Sequence, residues 1–201
     1  MLGEVSRERL VRTGGAQEGD SIVLTKGISI EGTAILALER ADDLRKAGIG
    51  DDIITLSTSL IDCPGISVIE DARIACDTGA VHSMHDVTEG GLITGLREVA
   101  AASGLGLAIE EGSIPILEST KEICQALELN PLGLLASGAL IITLSPSDVP
   151  SLLANLDKNG IDGWEIGVMM APEEGFICIG REGEVELPQF SRDELARYFS
   201  G

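Results

Sequence analysis

The glycine pair Gly90-Gly91 stands between a β-prone run and a segment of helical periodicity, and it marks a sharp turn from strand to helix. Upstream, Ala80 to Met84 reads as the strand. Downstream, Leu92, Leu96, Val99 and Ala100 are spaced to fill one face of a helix running to Ser103. Between them lies His85-Asp86-Val87-Thr88-Glu89, which sets an imidazole, two carboxylates and a hydroxyl directly before the helix start. Unpaired N–H groups and the positive end of the helix dipole make such a start an anion site, and glycines let a ligand approach the backbone closely. Asp86 and Glu89 can hold a metal or accept protons, and His85 can do either or orient a phosphate. Each side chain also has a structural role open to it: Asp86 or Thr88 capping the helix, Glu89 complementing its dipole, His85 packing at the strand end. Capping needs one such side chain and four precede the glycines, so the cluster stands as a candidate site.

The rest of the pattern sets the fold class. Ser21 to Thr25 (SIVLT) reads as a strand, and the loop Lys26-Gly27-Ile28-Ser29 leads into a helix from about Ile30 to Ala47, stopped by Gly48. Asp51 and Asp52 open a helical pattern to about Ile61, broken at Pro64-Gly65, and Ser67 to Cys76 is a further helix ending at Gly79. Leu105 to Glu110 reads as a strand, Glu118 to Leu127 as a helix, and Ala139 to Leu144 (ALIITL) as a buried strand. Ser147 to Asn159 is a helix with Ser147 and Asp148 in capping positions. Trp164 to Met170 and Gly175 to Ile179 read as paired strands joined by Ala171-Pro172-Glu173-Glu174, and Asp193 to Phe199 closes with a short helix. Residues 1–20 are charged and glycine-rich, a lead-in rather than core. Helices that interleave with strands and then give way to adjacent strands favour a layered sheet-and-helix domain of mixed strand direction.

Composition excludes several functions. Only 2% of residues are aromatic, so the core is built from Ile, Leu, Val and Ala. A net charge of −19 repels a phosphate backbone, which argues against a nucleic-acid partner and reads as solubility, with a need for Mg²⁺ or a basic partner. Cys63, Cys76, Cys124 and Cys178 form no CxxC and read as reduced, mostly buried thiols. MLGEVSRERL lacks the apolar run of a signal peptide, and Leu132 to Leu144 is too short to span a bilayer, so a cytoplasmic protein with no membrane partner is expected.

Two further loops resemble the first in kind. Thr25-Lys26-Gly27-Ile28-Ser29-Ile30-Glu31-Gly32-Thr33 runs from strand to helix with a hydroxyl, an ammonium and two glycines. Its lysine precedes its glycines, so it is no GxxxxGK[ST] phosphate loop, and a turn with an exposed lysine is the plainer reading. Ala136-Ser137-Gly138 enters the strand at Ala139.

With these residues assembled, a family resemblance emerges. GDSIVLTKGISIEGTAILA, PGISVIEDARIA, MHDVTEGGL and IPILESTKEICQALELNPLGLLASGALIIT, in that order, resemble the C-terminal domain of the aminoimidazole ribonucleotide (AIR) synthetase-related superfamily. The similarity is closest to its hydrogenase expression/formation branch, and it covers the chain from about Gly14 to at least Leu144. The resemblance implies an α+β fold, a three-layer α/β/α sandwich with a mixed sheet, spanning residues 14–201. It implies that residues 1–13 are the remnant of, or linker from, an N-terminal ATP-binding domain. Members use ATP and Mg²⁺ to phosphorylate an oxygen of a small-molecule substrate and so make it a leaving group. By matching, His85 and Asp86 are the catalytic positions, with Asp86 also a metal ligand. Lys26, Gly27, Gly32, Thr88, Gly90, Gly91, Ser137 and Gly138 border the nucleotide cleft. The partner domain supplies most nucleotide and metal ligands, so the chain alone is expected to be inactive, and the family's homodimer forms largely through that domain. The hydrogenase-maturation dehydratase ends in a cysteine that carries the carbamoyl group, whereas here no cysteine follows Cys178.

Two functions from different classes follow. One is the substrate-side half of an ATP-dependent synthetase or dehydratase. The other is a non-enzymatic module that binds an anion or nucleotide, or docks a partner. A purely structural or oligomerisation domain, the third reading, predicts no ligand at all.

Overall fold

A computed structural model describes residues 4–79 and 81–200; Ala80, at the head of the expected second strand, and residues 1–3 of the expected lead-in lie outside them. In chain order the elements are β1 (Ser21–Thr25), α1 (Ile30–Glu39), α2 (Ala41–Lys46), α3 (Asp51–Thr58), α4 (Ile69–Thr78), β2 (Val81–Asp86), α5 (Gly91–Ser103) and β3 (Gly106–Glu110). Then follow α6 (Glu118–Ala126), β4 (Leu140–Leu144), α7 (Val149–Lys158), β5 (Gly163–Met170), β6 (Phe176–Gly180), β7 (Gly183–Glu186) and α8 (Glu194–Phe199). The strands form one sheet in the order β2-β4-β1-β5-β3-β6-β7. Its neighbours run antiparallel except β3 and β6, which are parallel, so the sheet is mixed as expected.

Burial explains the layers. All five residues of β1 are buried, which is why SIVLT carries no clean polar alternation. Ile22 and Leu24 join Leu92, Leu96 and Val99 of α5 in one core cluster, while Val23 joins Ala75 of α4 and Leu152 and Leu156 of α7 in another. The domain is therefore an α+β sandwich with α5 on one face of the sheet and α4 and α7 on the other. A third cluster gathers Leu36, Leu44, Ile54 and Ile123 from α1, α2, α3 and α6, with Leu195 and Tyr198 of α8 packed against it. No helix among the described residues is long and apolar enough to cross a membrane.

Four local expectations need correction. The helix expected over 30–47 breaks at Arg40 (φ −127°, ψ 25°) into α1 and α2. In a straight helix Leu44 would sit about 80° round from Leu36; the break lets both reach the same cluster, and the Arg40 guanidinium lies 4.6 Å from the centre of the Phe199 ring. β5 and β6 do not pair with each other, because β3 lies between them, antiparallel to β5 and parallel to β6. β6 turns instead onto β7, a strand that Glu-rich sequence concealed. α7 starts at Val149 after Asp148, and neither Ser147 nor Asp148 caps it through its side chain.

The lead-in also proves partly structural. Ala16 packs against the core, and Asp20 is buried with its carboxylate 2.8 Å from His82 Nδ1. A turn at Thr13–Gly15 lies along β2 and α5, with Gly15 so close to the His82 carbonyl that a Cβ would collide with it.

Candidate functional site

β2 runs two residues past its expected end, because β4 continues to pair with it: His85 opposes Ile141, Asp86 opposes Leu140, and the Val87 N–H donates to the Ala139 carbonyl at 3.1 Å. His85 and Asp86 thus belong to the strand, and strand alternation sends them to opposite faces. His85 turns under α5, with Nε2 2.8 Å from Glu98 Oε2 and Nδ1 3.4 Å from Thr13 Oγ1. Asp86 is exposed, and its carboxylate has no hydrogen-bond partner among the described residues.

At the start of α5, Gly90 (φ 79°) and Gly91 (φ 67°) both adopt left-handed backbone. A Cβ on Gly91 would lie 2.6 Å from the Leu132 carbonyl oxygen, so strain and space both demand glycine there. Thr88 and Glu89 are exposed, and neither Thr88 nor Asp86 caps the helix through its side chain. The Thr88 carbonyl instead accepts from the N–H of Gly91 and of Ala136, both at 3.2 Å, which ties the third loop to this turn. The N–H groups of Leu92 and Ile93 find no acceptor outside the helix among the described residues.

One acceptor at this helix start was not foreseen. Asp193 Oδ2 accepts the Gly90 N–H at 2.6 Å, while its Oδ1 accepts the Leu195 N–H at 2.7 Å and so caps α8. The Asp193-Glu194 pair before a helix is a readable capping signal, but a bond across 103 positions leaves no trace in sequence. Beside it opens a cavity of about 560 Å³, lined by Glu89, Gly90 and Thr94 on one side and Phe190, Arg192 and Asp193 on the other.

The other two loops arrive at the same end of the sheet. The end of β1 and the end of β2 both meet the start of β4, where Thr25 Oγ1 accepts the Leu140 N–H at 3.1 Å. Gly32 donates its N–H to the Leu135 carbonyl at 3.0 Å, joining the first loop to the third. Ser29, in left-handed backbone, donates its hydroxyl to the Pro131 carbonyl at 2.6 Å. Ser137 is half-buried with its hydroxyl unpaired among the described residues, and Gly138 (φ 110°) packs against Gly65 and Ile66.

Lys26 departs from the exposed lysine expected. Its side chain is 6% exposed, and the ammonium sits 2.7 Å from the Ser67 carbonyl and 3.2 Å from Asp71 Oδ2, with the Asp71 side chain 2% exposed. Asp71 Oδ1 is buried without a partner among the described residues. Gly27, next to it, closes a tight turn through its N–H on the Thr25 carbonyl at 2.7 Å.

Around α8 the charges are tied down. Hydrogen bonds from Arg197 hold the Glu194 carboxyl below its usual range against the opposing effect of burial, helped by the Asn130 N–H at 2.9 Å. Burial, with the Glu194 charge second, pushes the Cys124 thiol up to about 12. Among the described residues no group of three or more His, Cys, Asp or Glu side chains is arranged to hold a metal ion. Cys124 and Cys178 are buried, Cys76 is half-buried and Cys63 is exposed.

A mixed sheet clad in helices on both faces, with three loops converging at one end on a glycine-opened helix, defines the layered α/β/α class. Residues 17–179 match the family described as AIR synthase related protein, C-terminal domain, and the chain belongs to that family. Among its relatives is a protein of Methanocaldococcus jannaschii named for hydrogenase expression/formation, 30% identical over 192 residues that cover 93% of this chain and 53% of that protein. Carbamoyl dehydratase HypE of Cupriavidus necator is 29% identical over 183 residues, 88% of this chain and 47% of its own. The chain spans about half the length of these relatives. The fold is shared with the crystal structure of E. coli HypE (TM-score 0.76, 23% identity, 94% of this chain and 55% of that one). It is shared also with HypE in complex with ATP (0.70, 21%, 96% and 57%) and with HypE in the HypE–HypF complex (0.66, 19%, 90% and 56%).

Proposed function

We propose that this chain is the substrate-side domain of an ATP-dependent synthetase or dehydratase of the AIR synthase/hydrogenase-maturation type, forming one wall of an interdomain phosphate-binding cleft and inactive alone. The observation that carries the proposal is the convergence of three loops on the start of α5, where the Leu92 and Ile93 N–H groups lack acceptors among the described residues. Such groups suit a phosphate oxygen, and since Leu92 and Ile93 are fully buried, the turn must open for one to reach them. The family and the relatives named for hydrogenase formation and carbamoyl dehydration support the reading, as does a HypE structure containing ATP.

In this reading Thr88, Gly90 and Gly91 border the phosphate, and Gly27, Gly32, Ser137 and Gly138 shape the wall beside it. Asp86, exposed and unpaired at the strand end, is the acid-base group and the one Mg²⁺ ligand from this side, so further ligands come from a partner ATP-binding domain. His85 acts from beneath α5, steadied by Glu98, and Lys26 braces the first loop through Asp71. ATP supplies the phosphoryl group that turns a substrate oxygen into a leaving group. The homodimer implied by the family is formed through the same partner domain.

With an ATP-binding domain supplied, Asp86→Asn is expected to lower ATP-dependent turnover by roughly a hundredfold or more and leave thermal stability unchanged. Wild-type turnover in that variant removes Asp86 from the chemistry. A second reading is a non-enzymatic binding module, and the Asp193 carboxylate, which already fills one donor of the helix start, bears on both readings alike. Calorimetry with ATP, ADP and pyrophosphate separates the two: binding without turnover, even with the ATP domain present, selects the module.

A further inference from the structure

The two edges of the sheet differ. The β2 edge is covered by the Thr13–Gly15 turn, where Ser83 Oγ donates to the Thr13 carbonyl at 2.7 Å and Gly15 lies flush on His82. Among the described residues the β7 edge is open: β7 pairs with β6 alone, and all four of its residues are exposed. An exposed edge strand is a template for another strand.

Register fixes what that template offers. The Leu187 N–H donates to the Phe176 carbonyl at 2.9 Å, and antiparallel pairs alternate, so Val185 and Gly183 face inward to Cys178 and Gly180. Glu184 and Glu186 therefore turn their N–H and C=O groups outward. Their side chains share one face of the sheet, two positions apart, and Val185, 55% exposed, points to the other. A cavity of about 800 Å³ runs beside this hairpin, walled by Glu110, Glu111 and Glu182 with Ile179 and Val185 between them and Arg181 as its single base.

We infer that β7 is a docking edge that takes an extended segment of another protein as an eighth strand, and that the segment carries a basic–apolar–basic triplet. The two basic side chains stand across from Glu184 and Glu186, and the apolar one lies beside Val185. A second copy does not fit, because β7 against β7 sets carboxylate beside carboxylate on chains that each carry −19. The carboxylates that bar self-pairing thus select a basic strand, and the acidic surface steers it in. This inference does not depend on the nucleotide reading.

The probe is a fluorescent Lys-Val-Lys-Val-Lys peptide titrated into the 201-residue chain, with Glu-Val-Glu-Val-Glu and Lys-Pro-Lys-Pro-Lys as comparisons. The Lys-Val peptide should bind and slow amide exchange at Glu184 and Glu186, and the other two should bind at least about tenfold more weakly. Glu184→Lys/Glu186→Lys should reverse the preference toward the Glu-Val peptide, and the near-isosteric Glu184→Gln/Glu186→Gln should weaken Lys-Val binding should the reversal not fold. Equal binding of Lys-Pro and Lys-Val, which reduces the effect to bulk charge, overturns the inference. So does exchange protection elsewhere than β7, or an affinity that neither double variant changes.

Discussion

Asp193→Ala removes two hydrogen bonds, one that caps α8 and one that joins it to the candidate site. Oδ1 caps α8 at Leu195, and Oδ2 satisfies the N–H of Gly90 at the entry of α5. Loss of a cap costs about 1 kcal/mol. A buried N–H deprived of its acceptor costs about 1–3 kcal/mol more, and Gly90 is buried, so solvent does not readily replace the carboxylate. The expected destabilisation is about 2–4 kcal/mol, which for a chain of this length lowers the thermal midpoint by on the order of 10 °C. Circular dichroism melts and urea unfolding measure it. The same truncation frees the Gly90 donor beside the two unpaired ones of Leu92 and Ile93, so millimolar phosphate should raise the melting point of Asp193→Ala more than that of the wild type. A variant within about 0.5 kcal/mol of wild type and indifferent to phosphate refutes both the capping account and the anion character of this helix start.

Other perturbations test separate parts of the argument. Asp71→Ala strands the buried Lys26 ammonium and should cost about 3–5 kcal/mol in urea unfolding, whereas replacing both partners with apolar residues of similar volume should cost much less. The Glu194 carboxyl is held low in the folded state, so its stabilisation is present above the ordinary carboxylate value of 4.5 and is lost as pH falls through the lower folded value. Stability curves of wild type and Glu194→Gln should therefore converge on the acid side. Cys124 binds its proton more tightly folded than unfolded, so its contribution is intact below 9.0 and declines as pH rises toward about 12. Iodoacetamide at pH 8 should label exposed Cys63 while sparing Cys124, read by mass spectrometry of tryptic peptides.

Most elements of this fold are local in origin, and local pattern reveals them. SIVLT and ALIITL carry no polar alternation because β1 and β4 are covered on both faces by α5 and by α4 with α7. α5 begins one residue before its first periodic leucine, and Gly79 and Gly104 end α4 and α5 in left-handed backbone, as glycine stop signals should. What failed was partnership. The sequence between Trp164 and Ile179 has every mark of a hairpin, yet β3 inserts between the two strands, and no short-range signal records a strand arriving from sixty residues upstream. β7 was missed because a strand at an open edge needs no apolar face, and Gly-Glu-Val-Glu has almost none.

The candidate site divides along the same line. Gly90 and Gly91 are legible because both take left-handed backbone, and Gly91 is also packed against Leu132 and Gly133, a demand written into the residue type itself. The burial of Lys26 is hidden from the sequence because its partners, the Ser67 carbonyl just before α4 and Asp71 on it, lie far along the chain, and a lysine beside glycines looks the same whether it reaches out or in. Asp193 was invisible as a site residue for the same reason. Its two oxygens serve two helices at once, one accepting the Leu195 N–H of α8 and the other the Gly90 N–H before α5. On the proposed reading a phosphate competes with Asp193 for the Gly90 N–H, and the Leu92 and Ile93 donors, on fully buried residues, become reachable only as that turn opens.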